Sequence, residues 1–262
     1  MQGNDQRLHI RFHEDLSSLL TVAADGGKVE MDLDRRTSIK DLIESLGVPH
    51  TEVGQIILNG VESEFSAIVR GGDRIEVLAQ PIPVSVTVPT ILRPDPLPDV
   101  KFLVDVNVAK LGTLLRMVGI DAARPINHDD KALARQAARE GRILLSRDRN
   151  LFKRKVVVFG RLVRAENPED QLVELTGLYD LFSHFRPFSR CMSCNGILRQ
   201  VEKQAVLHRL EPLTEKYYHT FHICPNCDNL YWAGTHRERM LELLERIAQR
   251  LGVDLPPPNH VD

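Results

Sequence analysis

The 262-residue sequence predicts an α+β unit followed by an α/β parallel-sheet domain that carries an appended four-cysteine ribbon. Three observations carry this. Residues 8–80 run strand, strand, helix, strand, strand. From residue 101 short buried strands alternate with amphipathic helices, the signature of a parallel sheet. All four cysteines lie between 191 and 227, in two Cys-x-x-Cys pairs.

In the first unit Leu8, Ile10 and Phe12 alternate with polar residues, as on a half-buried strand. Val29 and Met31 mark a second strand. Ser38 is placed to cap a helix, with Asp41 three residues on and Ile39, Leu42, Ile43 and Leu46 as its apolar stripe. Gly47 ends it. Ile56 to Leu58, the Asn59-Gly60 turn and Arg74 to Leu78 complete the unit. That order is the β-grasp arrangement.

Residues 81–100 hold six of the 15 prolines, a density that stiffens a linker, although Val84, Val86 and Val88 alternate as on an edge strand. Phe102 to Val104 is a buried strand. Val108, Leu111, Leu115 and Val118 recur at helical spacing before Gly119. Asp129-Asp130 opens a helix with Leu133, Ala134 and Ala137, closed by Gly141. Ile143 to Leu145 and Val156 to Phe159 are two further strands. Asn167-Pro168-Glu169-Asp170 starts a helix with a cap, a proline and two acids, and Leu172 and Leu175 face its core. Met240, Leu243, Leu244, Ile247 and Leu251 form a last amphipathic helix, and Pro256 to Pro258 begin a tail. The expected divisions are 1–80, a linker at 81–100, 101–185, a ribbon with its C-terminal helix at 186–252, and a tail at 253–262.

With 42% hydrophobic and 27% charged residues the composition is that of a globular protein and excludes a fibre. No apolar run approaches the roughly 20 residues of a membrane span. The first 15 residues are polar and lack the apolar core of a secretory signal, so a cytoplasmic protein with no membrane partner is expected. The net charge of −2 hides an asymmetry. Residues 1–100 hold 9 basic against 16 acidic side chains, whereas residues 101–165 hold 15 against 6. Such a basic segment suits a polyanion, above all nucleic acid.

Cys191, Cys194, Cys224 and Cys227 supply four thiolates from two tight turns, the donor set of a structural tetrahedral zinc site. His219, His222 and His236 lie nearby but are not needed as ligands. Tyr231, Trp232 and Arg190 are candidates for base or phosphate contacts on this ribbon, with core packing the alternative for Trp232. Asp105 follows one strand and Asp148 another. At the carboxyl ends of parallel strands, joined by Asp129 or Asp130 from a helix start, they form a candidate oxygen set for Mg²⁺ or Mn²⁺. Each also has an ordinary role open to it, as a helix cap or turn residue. Arg116, Arg147 and Arg149 are candidates to hold phosphates.

The stretch "KFLVDVNVAKLGTLLRMVG…DDKALARQAAREGRILLSRDRNL" resembles the Mut-seven C-terminal RNase domain family, a branch of the PIN-like nucleases. The segment "FSRCMSCNGIL…CPNCDNLYWAGTH" is similar to that family's ribbon, and "SIKDLIESLGVPHTEVGQIILNG…GDRIEVL" to its ubiquitin-like, sulfur-carrier-related module. The resemblance implies a PIN-like, metal-dependent ribonuclease acting on RNA. Asp105, Asp130 and Asp148 would be its catalytic acids and Mg²⁺ or Mn²⁺ ligands. It aligns Asn107 with the wider Asp-x-Asn motif and Arg116 with the Leu-Arg pair after the first helix. Three departures stand out. Val106-Asn107-Val108 replaces the commoner text after the first acid, Ser146 replaces a threonine, and Asn150 stands where PIN nucleases often carry a fourth acid. The ubiquitin-like module runs on through Gln80-Pro81 with no free Gly-Gly terminus, so binding a protein partner fits it better than sulfur transfer. Two other functions compete with the nuclease: a non-catalytic RNA- or ribosome-binding protein using the basic face and ribbon, and an adaptor built around the N-terminal module.

Overall fold

In the computed structural model, residues 7–33, 35–232 and 234–254 are described. The expectations for the first six residues, for Pro256 to Pro258 and for the side chain of His236 lie outside them. The first hundred residues form β1 (Arg7–Phe12), β2 (Lys28–Asp32), β3 (Thr37–Ser38), α1 (Ile39–Ser45), β4 (Val53–Leu58), β5 (Val61–Glu62), β6 (Ile68–Val69) and β7 (Arg74–Ala79). The chain continues through β8 (Phe102–Val104), α2 (Ala109–Met117), β9 (Ala122–Ala123), α3 (Asp130–Glu140), β10 (Ile143–Ser146), α4 (Arg149–Phe152) and β11 (Gly160–Leu162). It ends with α5 (Pro168–Tyr179), β12 (Arg199–Val201), α6 (Lys203–Val206), α7 (Pro212–Tyr217), β13 (Phe221–Ile223), β14 (Leu230–Trp232) and α8 (Thr235–Leu251).

The chain divides into two units. One comprises Met1–Val100 with Ile126–Val163, the other Lys101–Pro125 with Arg164–Asp262. In the first, a five-stranded sheet has the order β2-β1-β7-β4-β5. β1 is parallel to β7, and the other pairs are antiparallel. Leu8, Ile10 and Phe12 alternate with more exposed neighbours and are buried, as are Ile39 and Ile43 of α1. Burying each such side chain contributes about 1.5–3 kcal/mol. Ser38 caps α1, its hydroxyl accepting from the Asp41 amide at 3.1 Å. Among the described residues no strand forms between 81 and 100, although Val84 and Val86 are buried.

The same unit holds the parallel pair β10 and β11, with α3 and α4. The expected strand Val156–Phe159 is not one; the strand begins at Gly160. Only Val157 of its three valines is buried. Phe159 O accepts from Leu144 N of β10, but the carbonyls of Val157 and Val158 are taken by side chains from the N-terminal hundred residues. His50 Nε2 donates to Val157 O at 2.8 Å, and Arg93 Nε lies 3.4 Å from Val158 O. Two other groups join these parts of the chain. Buried Glu52 accepts from Arg161 Nη1 at 2.6 Å and from the Leu162 amide at 2.8 Å, and Arg149 donates to Leu19 O at 2.7 Å.

In the second unit β8 and β9 are parallel, and α2 packs on α5, which in turn meets α8. Asn167 caps α5 through the amides of Glu169 and Asp170. Gly119 ends the turn after α2 at φ +89°, where a Cβ would collide with the carbonyl of Arg186, so no other residue fits. β12, β13 and β14 form an antiparallel sheet in which Val201 pairs with Phe221 and Phe221 with Trp232. Among the described residues no helix is long and apolar enough to cross a membrane.

Candidate functional site

The two cysteine pairs are built alike. Cys191 N donates to Gly196 O and Asn195 N to Cys191 O. In the second pair Cys224 N donates to Asn229 O and Asp228 N to Cys224 O. Each turn closes on a residue of positive φ, Asn195 at +68° and Asp228 at +59°. Asn and Asp tolerate that region better than other side chains. Gly196 is needed where the pairs meet, because a Cβ there would lie 3.1 Å from Cys224 Sγ and 2.8 Å from Asn226 Nδ2. The four sulfurs lie within 4.8 Å of one another, with Cys191 to Cys227 at 3.5 Å and Cys194 to Cys224 at 3.3 Å. Four thiolates at about 2.3 Å from a tetrahedral zinc stand about 3.8 Å apart, so modest adjustment seats the ion.

The charges of the set point the same way. Burial opposes the Cys191 thiolate, but the Tyr231 hydroxyl at 3.1 Å and the Cys194 amide outweigh it and lower that thiol. Burial raises Cys194. Sulfurs this close become thiolate together only around a cation. Among the described residues, this is the group of three or more Cys, His, Asp or Glu whose donor atoms converge; the aspartates belong to no such group.

Arg116 corrects an expectation. Its side chain is 1% exposed, and it donates to Met192 O at 2.7 Å, Ala122 O at 2.9 Å and Thr113 Oγ1 at 3.1 Å. Burial and then neighbouring Arg124 lower its pKa to about 10, which leaves it charged at neutral pH. A guanidinium enclosed this way braces the first cysteine turn and does not reach a phosphate in solvent. Two further residues belong to that brace, one of them Arg190, which the sequence offered for base or phosphate contact. Asn195 accepts from Ala122 N at 3.1 Å and donates to Asp121 at 2.8 Å. Arg190 also belongs to it, paired with Asp121 at 3.3 Å and bonded to Gly119 O and Asn195 O. Tyr231 faces the sulfurs, while Trp232 leans on Phe221 yet stays 37% exposed.

The aspartates occupy the strand ends and helix starts expected of them. Asp105, directly after β8, is nearly buried. One carboxylate oxygen accepts from Val106 N at 2.6 Å and the other from exposed Asn107 Nδ2 at 2.8 Å. Asp129 is the cap of α3, accepting from Ala132 N at 3.0 Å, whereas Asp130 faces Arg154 at 3.2 Å. Asp148, two residues beyond β10, accepts from Asn150 N at 2.9 Å, and its own amide donates to buried Ser146 at 3.0 Å. Arg147 is exposed beside it, and Arg149 is turned to Leu19.

Comparison with known families matches both parts of the chain. The family model described as the Mut7-C RNAse domain covers residues 100–244, more than half of the sequence. The model described as Mut7-C ubiquitin covers residues 6–84. No curated protein matches significantly, and no solved structure does. Its match over more than half its length, continuous from β8 through the cysteine turns into α8, makes this chain a member of the Mut7-C RNase domain family with a Mut7-C ubiquitin-like domain at its N-terminus.

Proposed function

We propose that the protein is a metal-dependent ribonuclease of PIN-like type that hydrolyses RNA phosphodiester bonds in the cytoplasm. Asp105, Asp130 and Asp148 are its carboxylate ligands. The observation that carries the reading is the position of Asp105 and Asp148, each just past the carboxyl end of a parallel strand in an RNase-family segment. Asp130 joins them because Asp129 is committed to the helix cap. Carboxylates are hard oxygen donors that fit Mg²⁺ or Mn²⁺, and such an ion, when bound, lowers the pKa of water for attack on phosphorus. The chain's own part is to fix those oxygens. The amides of Val106 and Asn150 hold Asp105 and Asp148 in set rotamers, and Asn107 steadies Asp105 from the solvent side. Arg147, which is exposed, contacts RNA in this reading. The cysteine set holds zinc in a structural role, with all four positions taken by protein, and exposed Trp232 offers a base a stacking surface.

The test is cleavage of end-labelled single-stranded and structured RNAs by zinc-loaded protein with Mg²⁺, Mn²⁺ or EDTA. The expected result is metal-dependent cleavage, lost in Asp105→Asn and Asp148→Asn while the fold survives. One observation favours a second reading. Asp105 and Asp148 already cap backbone amides, and Asn150 carries no charge where a fourth acid would stand. Tight RNA binding with no cleavage under any metal makes the protein a non-catalytic RNA-binding one.

A further inference from the structure

The ten basic side chains between residues 126 and 163 divide into two sets. Four are bonded within the protein. Arg142 pairs with Glu140, Arg149 donates to Leu19 O, Arg154 pairs with Asp130, and Arg161 pairs with buried Glu52. The other six, Lys131, Arg135, Arg139, Arg147, Lys153 and Lys155, are exposed. The four acids of the same stretch are already committed. Asp129 and Asp148 cap backbone amides, Asp130 faces Arg154, and Glu140 is shared by Arg139 at 3.3 Å and Arg142 at 2.9 Å. Among the described residues the side chains of Lys131, Arg135, Lys153 and Lys155 make no hydrogen bond or ion pair.

Three of the exposed set form a row. Lys131, Arg135 and Arg139 stand four residues apart on α3, on the face opposite buried Leu133, Ala134 and Ala137. At 1.5 Å of rise per residue, neighbours in the row are about 6 Å apart. Like charges at that spacing weaken a helix, and Lys131 stands in the first turn, where the helix dipole favours an acid. A local penalty of this kind is characteristic of a surface kept for function. By holding Asp130, Arg154 ties the turn that carries Lys153 and Lys155 to the Lys131 end of the row.

We propose that this face of α3 is a docking surface for the phosphate backbone of one RNA strand, with Lys131, Arg135 and Arg139 each taking a phosphate. The proposal rests on RNA as the ligand in the proposed function and asks nothing of the catalytic acids. The spacing of the row is close to that of successive phosphates along a strand, so one helix face can follow consecutive linkages. Such contacts fix the position of the strand without reading its bases, and their affinity falls as salt rises. Among the described residues of α3 no large hydrophobic side chain is exposed. A protein partner would find no apolar anchor there, and a lipid surface no side chain to bury. The charge is complementary to a polyanion alone.

The experiment measures the Kd of zinc-loaded, full-length protein for a fluorescent oligouridylate by anisotropy, from about 0.05 to about 0.2 M NaCl. No other divalent ion is added, so cleavage does not intervene. Wild type is compared with a row variant carrying Lys131→Gln, Arg135→Gln and Arg139→Gln together. A charge-matched control carries Arg11→Gln, Lys28→Gln and Arg70→Gln, three exposed positions of the ubiquitin-like domain. Each phosphate contact contributes about 0.7 to the slope of log affinity against log salt, so the row variant is expected to be flatter by about 2. At about 0.15 M salt that amounts to roughly 50-fold weaker binding. The control and Arg135→Lys should keep the wild-type slope. Glutamine is a good helix former, so α3 should survive, which circular dichroism checks. If it does not, Arg135→Glu is read alone, and unchanged affinity there overturns the inference. A row variant with the wild-type slope, or a control that flattens equally, overturns the inference and leaves the RNA readings standing. Wild type that ignores RNA but is held by phosphatidylserine vesicles through the row makes the face a lipid surface and overturns it. Wild type that binds no RNA at all removes the proposed function and the inference together.

Discussion

Arg93 and Arg116 are both buried, and each gathers distant parts of its own unit, but their surroundings differ. Arg93 gives Nη1 to Val53 O and Nη2 to the carbonyls of His50 and Thr51, with Nε toward Val158 O. Those acceptors do not depend on a ligand. Arg116 holds Met192 O and Ala122 O while the charge of Cys191 and Cys194 lies close by. Its environment changes whenever the sulfurs gain or lose a metal. The first junction is set by the chain alone. The second is tied to whatever the cysteines bind, so the ribbon and the β8–α2 segment should respond to a chelator together.

The largest expected effect breaks that comparison if it is absent. Stripping zinc, or replacing Cys224 with serine, should abolish amide-exchange protection across β12 to β14 and weaken it in α2, while β1, β4 and β7 keep theirs. Structural zinc sites are worth on the order of 10 kcal/mol, enough to unfold a small ribbon. Equal loss in both units by hydrogen exchange would show that the two junctions are not independent. Next in size is Arg116→Met, expected to cost about 3–5 kcal/mol in urea unfolding of the metal-loaded protein, because it strands buried carbonyls beside the thiolates. Glu52→Ala leaves Arg161 without its buried partner and should cost about 3 kcal/mol, with no change in zinc content. The smallest effect sharpens the acid assignment. Asp129→Ala should cost about 1 kcal/mol as a lost cap and leave Mn²⁺ binding intact. Weakened Mn²⁺ binding in that variant would move the ligand role from Asp130 to its neighbour.

The features legible in the sequence are those whose causes are local. Ser38 and Asn167 cap the helices they precede, and one of the Asp129-Asp130 pair caps a third, because the cap bond spans two or three residues. The strand order of the ubiquitin-like domain follows from period-two alternation and the Asn59-Gly60 turn. The cysteine spacing alone announced the metal set. What escaped was decided far away in the chain. Val156 to Phe159 has the composition of a strand, but His50 and Arg93 claim the carbonyls of Val157 and Val158 from more than 60 residues off. Arg116 sits in a motif that suggested phosphate, and Met192, 76 residues on, settles its role as a brace. That Asp129 turns back to the Ala132 amide while Asp130 faces Arg154 is a choice between adjacent side chains that the sequence left open.

The bond from the Leu162 amide to Glu52 has a consequence for handling this protein. β11 pairs with β10 through the Val163 amide, so Leu162 points its own amide to the opposite side, where an edge strand is open to recruitment. A carboxylate from the ubiquitin-like domain stoppers that side and offers no complementary strand in return. A fragment cut free of the N-terminal hundred residues would present a raw edge flanked by valines, a template for strand addition by its neighbours. The ubiquitin-like domain is in this sense a built-in guard against self-association.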